Sequence, residues 1–305
     1  EIAAQEIRRL RKAISKEDLP WRVSESDACS GQHRGATPNS AVAYLTSDSS
    51  SDLSDLAASL QLLRRHLFDV HGQYPVIIFH DSLAPFHMRH LQSALGAGCP
   101  LSFQHVSLEA NVSSEPSGAF RFFHQAPQQG VGYRSMCRFF SGPLFEHPVI
   151  RDLQYYMRMD TDSFFLRPLP YDPFQRVMKL GAVYGYLTTA TEEGSMCDGL
   201  SEQIIKTAEG LGVGVPEAVR GWDRSFFYNN FEVTAVQFWR SDAYRALFAA
   251  LDNSGGFLSR RWGDGPVRTI ALSLLAPQRD VVKLTGIAYW HQNFVTLPIE
   301  TEDAA

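Results

Sequence analysis

Several features that would have pointed to other functions are scarce or missing from this chain. It carries four cysteines in 305 residues, Cys29, Cys99, Cys137 and Cys197, with no C-x-x-C pair, which argues against a zinc knuckle or a thioredoxin-type redox motif. Two disulfides and four buried thiols both fit that count. No run of 18 apolar residues occurs, so no segment reads as a membrane-spanning helix. Positive charge is not in surplus either: 28 Lys and Arg stand against 33 Asp and Glu, a formal net charge of −5, with the two signs mixed along the chain. A nucleic-acid backbone demands a basic stripe, so no nucleic acid is expected as a partner. The chain opens on Glu1 rather than Met, and any targeting segment is expected upstream of it.

With 44% hydrophobic residues the chain can bury a sizeable core, and one compact unit is expected. Residues 1–40 read as a leading helix over 2–16 followed by an irregular, stem-like connection, and the folded domain is expected over 41–305. Ala41–Leu45 and Pro75–Phe79 are short apolar runs suited to buried strands. Between them Leu53, Leu56, Leu60, Leu63 and Leu67 recur at three and four and predict a helix closed by Gly72. A second helix is predicted over 84–97 and a strand over 103–106. Strand, helix, strand, helix, strand is the signature of a parallel sheet wrapped by helices. Further strands are predicted at 155–159, 181–187 and 233–239, and helices at 241–251 and 266–275. The sequon Asn111-Val112-Ser113 lies in a polar stretch that reads as an exposed loop.

In such sheets ligands sit beyond the carboxyl ends of strands, and the strand-like Tyr155–Met159 runs directly into Asp160-Thr161-Asp162. Two carboxylates there supply oxygen ligands for a hard divalent cation, which neutralises the charge of a departing nucleotide diphosphate. A solvated acidic loop tip is the plain alternative. Glu232 enters the strand-like run after Tyr228–Phe231; it reads as a salt-bridged residue or as a carboxylate facing an anomeric carbon. Asp264, in Arg260–Pro266, reads as a helix cap or a site residue. His291 closes the Tyr289–Asn293 segment and is a candidate to complete a metal shell. Tyr133, Arg134 and Arg138 offer a phenol and two guanidinium groups for a base and phosphates, or simply a helix surface.

Taken together, the segments YRSMCRFFSG (133–142), YYMRMDTD (155–162), NFE (230–232) followed by FWRS (238–241), and LDNSGGFLSRRWGDGPVRTI (251–270) resemble glycosyltransferase family 15, the fungal α-1,2-mannosyltransferases. With the strand-helix opening, the resemblance covers most of residues 41–295 in the same order. It implies a GT-A fold, an α/β single domain with a mixed, mainly parallel sheet. It also implies a GDP-mannose donor, a manganese ion, a retaining reaction on a glycan or glycoprotein acceptor, and a type II Golgi membrane protein anchored upstream. Carried over by motif, Glu232 matches the proposed nucleophile and Asp160 the first acid of the metal motif. His291 matches the histidine of the metal site, Tyr133 and Arg158 donor-side residues, and Asp264 the acceptor side. The site expected from all of this has Asp160, Asp162 and His291 on the metal. Tyr133, Arg134, Arg158 and Asp160 lie toward the donor, with Glu232 and Asp264 in catalysis. The family usually has Glu-Pro where this chain has Asp160-Thr161. Residues 120–130 and 188–225 depart most from the pattern, and acceptor choice is expected there. The rival readings are a UDP-sugar or GDP-fucose donor and a non-catalytic carbohydrate-binding relative. Last comes a glycoside hydrolase using Asp160 and Glu232, which would need those two about 5–10 Å apart without a metal between them.

Overall fold

The structure is a computed structural model, and it describes residues 39–108 and 131–298. The predicted leading helix, the irregular stretch to residue 38, the sequon and the 120–130 segment lie outside the described residues.

The chain enters on β1 (Ser40–Thr46) and turns into α1 (Ser50–Leu63). Ser49 caps α1 by accepting the Asp52 N–H at 3.1 Å. Leu53, Leu56, Leu60 and Leu63 form its buried stripe. The helical path continues through a π turn at Arg64–Phe68 and stops at Gly72, whose φ of 106° breaks it. β2 (Val76–His80) follows, buried at every position as an inner parallel strand should be. Then come α2 (Pro85–Leu95), with Pro85 at its first position, and β3 (Leu101–His105). After the undescribed segment the chain runs through α3 (Val131–Ser141), β4 (Tyr155–Met159), β5 (Ser163–Phe165) and α4 (Pro173–Lys179). Next are β6 (Tyr184–Tyr186), β7 (Thr189–Thr191), α5 (Leu200–Gly210), β8 (Ser225–Phe227) and β9 (Phe231–Ala235). Helices α6 (Asp242–Asn253), α7 (Gly256–Arg260) and α8 (Asp264–Leu275) precede β10 (Val281–Lys283), β11 (Tyr289–His291) and β12 (Phe294–Thr296).

Seven strands form the central sheet in the order β10-β6-β9-β4-β1-β2-β3. All neighbours are parallel except β9, which runs antiparallel between β6 and β4. The expected mixed, mainly parallel α/β sheet is therefore present. Strand alternation divides the core in two. Val42, Tyr44, Ile78 and Met157 pack with α1 and α2 on one face, whereas Ala43, Ile77, Phe79 and Tyr156 pack with α6 and α8 on the other.

Three local expectations change. The strand predicted over 233–239 ends at Ala235 and becomes a helical turn at Val236–Trp239, because the Trp239 indole N–H folds back onto the Thr234 hydroxyl at 2.7 Å. The strand predicted over 181–187 is confined to Tyr184–Tyr186. The cysteines are neither paired twice nor all free: Cys99 is disulfide-bonded, and Cys137 and Cys197 are free and buried.

Candidate active site

At the carboxyl end of β4 the backbone tightens into a turn. Asp160 N–H bonds the Asn230 carbonyl at 3.0 Å, and Ser163 N–H returns to the Asp160 carbonyl at 3.1 Å. The turn reverses the chain into β5, where Ser163 stands in register with His291 of β11. That pairing in the small β12-β11-β5 sheet carries an imidazole across 129 positions of sequence to the acidic turn. His291 Nε2 lies 3.0 Å from Asp162 Oδ1 and 3.9 Å from Asp160 Oδ2. Its other nitrogen, Nδ1, is 3.0 Å from the Tyr228 hydroxyl. Burial works against the Asp162 carboxylate, but the His291 hydrogen bond and charge, with a further bond from Gln292, outweigh it and hold its pKa below the usual range.

These groups open on a cavity of about 390 Å³ whose wall includes Tyr133, Arg158, Asp160, Arg261, Asp264 and His291. Arg158 is 2% exposed. It gives Nε and Nη2 to Asp160 Oδ1 at 3.0 Å and Nη1 to Asp264 Oδ2, and it lies over the Phe140 ring at 3.7 Å. Burial opposes its charge, yet Asp160, Asp264 and Glu232 more than restore it and raise its pKa well above normal. Asp264 also accepts from the Asn229 amide at 2.7 Å. Gly265 makes that contact possible, since a Cβ there would lie 2.6 Å from the Phe226 ring and 3.0 Å from Asn229 Oδ1. Asp264 does not cap α8: Gly263 holds the cap position and Asp264 lies in the first turn. Its charge there is favourable to the helix dipole.

Two expected site residues are placed elsewhere. Arg134 follows Tyr133 on α3, and one residue of helix rotates it about 100° away. Its Nη1 bonds the Leu258 carbonyl at 2.7 Å, and it is absent from the cavity wall. Glu232 is fully enclosed. It stands opposite Arg158 in the β4–β9 register, but its oxygens are taken by the Tyr156 hydroxyl, by Tyr184 at 2.8 Å and by Arg268 Nη1 at 2.9 Å. Arg268 is also fully buried and spans to the Phe140 carbonyl at 2.7 Å. The β4–β9 register places Glu232 on the same sheet face as Arg158, but Tyr156, Tyr184 and Arg268 engage its carboxylate and it does not line the cavity.

Tyr228, Asn229, Glu192, Arg261 and Gln292 belong to the site but were not singled out as site residues in the sequence. The first two sit one strand end from Glu232 and are brought in by the sheet register, a signal that local patterns do not carry. A second cavity, of about 360 Å³, is lined by Trp222, Ser225, Phe227, Thr269 and Ser273, and Phe226 lines both.

A mixed sheet with an acidic turn at the end of a central strand, met by a histidine from a small antiparallel sheet, is the arrangement of a GT-A glycosyltransferase. The chain belongs to the glycolipid 2-alpha-mannosyltransferase family, whose model matches residues 123–303. Among similar proteins, O-glycoside alpha-1,2-mannosyltransferase homolog 2 of Schizosaccharomyces pombe is 29% identical over 274 residues, 84% of this chain and 73% of that protein. The probable mannosyltransferase KTR3 of Saccharomyces cerevisiae is 33% identical over 180 residues, 56% of this chain and 45% of its own length. The fold is shared with core-mannan synthase A from Aspergillus fumigatus, solved in an Mn/GDP form (TM-score 0.76, 23% identity, 90% of this chain and 80% of that one). It is also shared with the S. cerevisiae mannosyltransferase Ktr4p in complex with GDP (TM-score 0.77, 20% identity, 99% and 83%).

Proposed function

We propose that this glycosyltransferase moves mannose from GDP-mannose onto a glycan or glycoprotein acceptor in α-1,2 linkage with retention, using manganese, in the Golgi lumen. The observation that carries the reading is the convergence of Asp160 and Asp162 on His291, whose Nε2 lies within 3.9 Å of both carboxylates, with Asp160 and His291 on the cavity wall and Asp162 just behind it. Among the described residues no group of three or more His, Cys, Asp or Glu is arranged to hold a metal ion by itself. The donor set nonetheless fits a hard divalent ion that takes its remaining ligands from a diphosphate: two part-exposed carboxylates and one imidazole on an open wall. Asp160, Asp162 and His291 would hold the ion, which when bound neutralises charge on the leaving diphosphate. To offer Nε2 as a ligand, His291 must carry its proton on Nδ1, and the Tyr228 hydroxyl at 3.0 Å is placed to accept it.

Around that centre Tyr133 and Arg158 shape the donor side. Arg158 acts indirectly, because its guanidinium is already committed to Asp160 and Asp264 and fixes both carboxylates. With Glu232 enclosed, the retaining route this geometry favours is a front-face one. The acceptor hydroxyl forms its bond to the anomeric carbon on the side from which the diphosphate oxygen departs, and the acceptor proton passes to that oxygen. Glu232 then serves as a support beneath Arg158. Acceptor choice falls to Asp264 and to the 188–225 segment, whose strand partner Phe226 lines both cavities. The lumenal assignment rests on the family and on the disulfide at Cys99. Among the described residues no helix is long and apolar enough to cross a membrane.

The test is a donor panel (GDP-mannose, GDP-fucose, UDP-sugars) assayed for released nucleotide and glycosylated acceptor, with manganese and in chelator. Turnover specific to GDP-mannose and dependent on the metal is expected. Equal turnover in chelator would remove the metal reading, and preference for another donor would remove the mannose assignment.

A further inference from the structure

Arg261 is the charged residue on the cavity wall whose hydrogen-bonding groups are left over. Its neighbours are spoken for: Arg158 is bound by Asp160 and Asp264, and His291 by Asp162 and Tyr228. The Arg261 side chain is 13% exposed, and the carboxylate facing it, Glu192, lies 3.8 Å from Nη1, beyond hydrogen-bond reach. Among the described residues neither Nε nor Nη1 has a hydrogen-bond partner, although both are buried. Orphaned donors on a buried cation are costly; Arg240 and Arg268 also carry such donors, but Arg261 is the one of the three that lines the cavity beside the acidic turn.

The backbone makes the same point independently. Arg261 sits at φ 62°, ψ 36°, the left-handed position that ends α7. Glycine adopts that conformation at no steric cost, while any other residue loses on the order of 1 kcal/mol. The segment is also pinned. The next residue, Trp262, is 2% exposed, bonds the Asp198 carbonyl through its indole N–H at 2.9 Å, and packs against Gly256, where a Cβ would come within 2.2 Å of its ring. The Arg261 guanidinium lies over Tyr133, 4.8 Å from the ring centroid. A planar fork held rigidly, stacked on an aromatic and directed into a cavity beside an acidic turn suits a dianionic or trianionic oxygen cluster. Burial first, and then the nearby Arg261 charge, lower the Arg134 pKa, so an anion here would relieve a like-charge pair as well.

We propose that Arg261 is the diphosphate-gripping residue of this site, donating Nε–H and Nη1–H to phosphate oxygens on the side away from Asp160, Asp162 and His291. Tyr133 is the platform that keeps the fork in plane. The inference rests on the nucleotide-sugar reading above.

Calorimetric titration of the purified chain with GDP, UDP, inorganic pyrophosphate and guanosine, in manganese, separates the two claims. In R261A and the neutral, similarly long R261Q, affinity for GDP should fall roughly 10- to 100-fold while guanosine binding stays within twofold of wild type. Thermal melts show whether each variant is folded, and R261Q carries the test if R261A is not. Unchanged GDP affinity in a folded variant overturns the assignment of Arg261 and leaves the transferase reading standing. Equal losses for guanosine and GDP overturn it too, by making Arg261 a structural support. Wild-type binding of UDP or pyrophosphate without GDP would refute the guanosine donor but leave the Arg261 comparison to be made on the ligand that binds. If the wild type binds no diphosphate, both readings fall.

Discussion

Two clusters of ionised and hydrogen-bonding side chains lie on either side of the cavity floor, and they are built differently. In the lower one Glu232, Arg268, Tyr156 and Tyr184 are all fully buried; both carboxylate oxygens have protein partners, and Arg268 is ion-paired to Glu232 and donates through Nη2, while its Nε has no hydrogen-bond partner among the described residues. Burial, reinforced by the Glu232 charge, keeps both phenols protonated. In the upper one Asp160 and Asp162 retain 31% and 29% exposure, and the His291 imidazole lies nearer to Asp162 than to Asp160. The sealed cluster presents no face to the cavity, so its contribution is to shape and stability. The open cluster keeps lone pairs toward the cavity, so its contribution is to binding. Charge alone does not mark a site; unspent coordination capacity does.

The comparison breaks most directly at Asp160. D160N should lower turnover by about three orders of magnitude or more, as loss of a metal ligand does, at a smaller stability cost than E232Q because Arg158 keeps Asp264 as its counter-ion. Steady-state assays beside denaturant melts check this, and a stable variant with near-normal turnover would remove the distinction. In the lower cluster the expectation reverses. E232Q leaves the Arg268 charge buried without its counter-ion and should cost about 3–5 kcal/mol of stability. If the variant instead melts like wild type while turnover collapses, Glu232 takes part in the chemistry and the front-face assignment is wrong.

Tyr228 sharpens the open cluster. Y228F removes the oxygen that orients His291, and manganese affinity, read by titration of activity against free metal, should weaken roughly 10- to 100-fold. An unchanged affinity would mean that His291 is oriented by something else. The smallest effect concerns Asp264, which bridges the two layers through Arg158. Burial raises its pKa, but the charges of Arg158 and Arg268 and the bonds from Arg158 and Asn229 lower it more, to a net value under the ordinary 3.8. A carboxyl whose folded pKa lies below its unfolded one contributes stability that is fully present above the unfolded value and is lost as pH falls through the folded one. The stability deficit of D264N should therefore be largest near neutral pH and should shrink below about pH 4. A deficit that stays constant with pH would show that Asp264 is not held ionised by its arginine.

Much of this was legible in one dimension. The apolar runs at 41–45 and 75–79, the leucine spacing from Leu53 and the strand leading into Asp160 depend on short-range periodicity, which a linear pattern records. So does the acidic turn, because strand ends in parallel sheets are where ligands meet polar residues. Asp160 and Asp162 were named from their place after a strand and His291 as a candidate third ligand, with the resemblance then matching Asp160 and His291; their convergence is a consequence of β5 pairing with β11.

What the tertiary structure alone decided is direction. Arg134 follows a cavity residue in the chain and Glu232 pairs with one across the sheet, yet a single residue of helical rotation takes the first away and contacts with Tyr156, Tyr184 and Arg268 enclose the second. Arg261 and Tyr228 gained their places the same way, through a left-handed backbone position and a strand end that no local pattern announces. Residue type and spacing determine which groups are available and roughly where along the chain. Whether a group spends its hydrogen bonds on the protein or keeps them for a ligand depends on contacts between residues far apart in sequence, and only the packed fold fixes those.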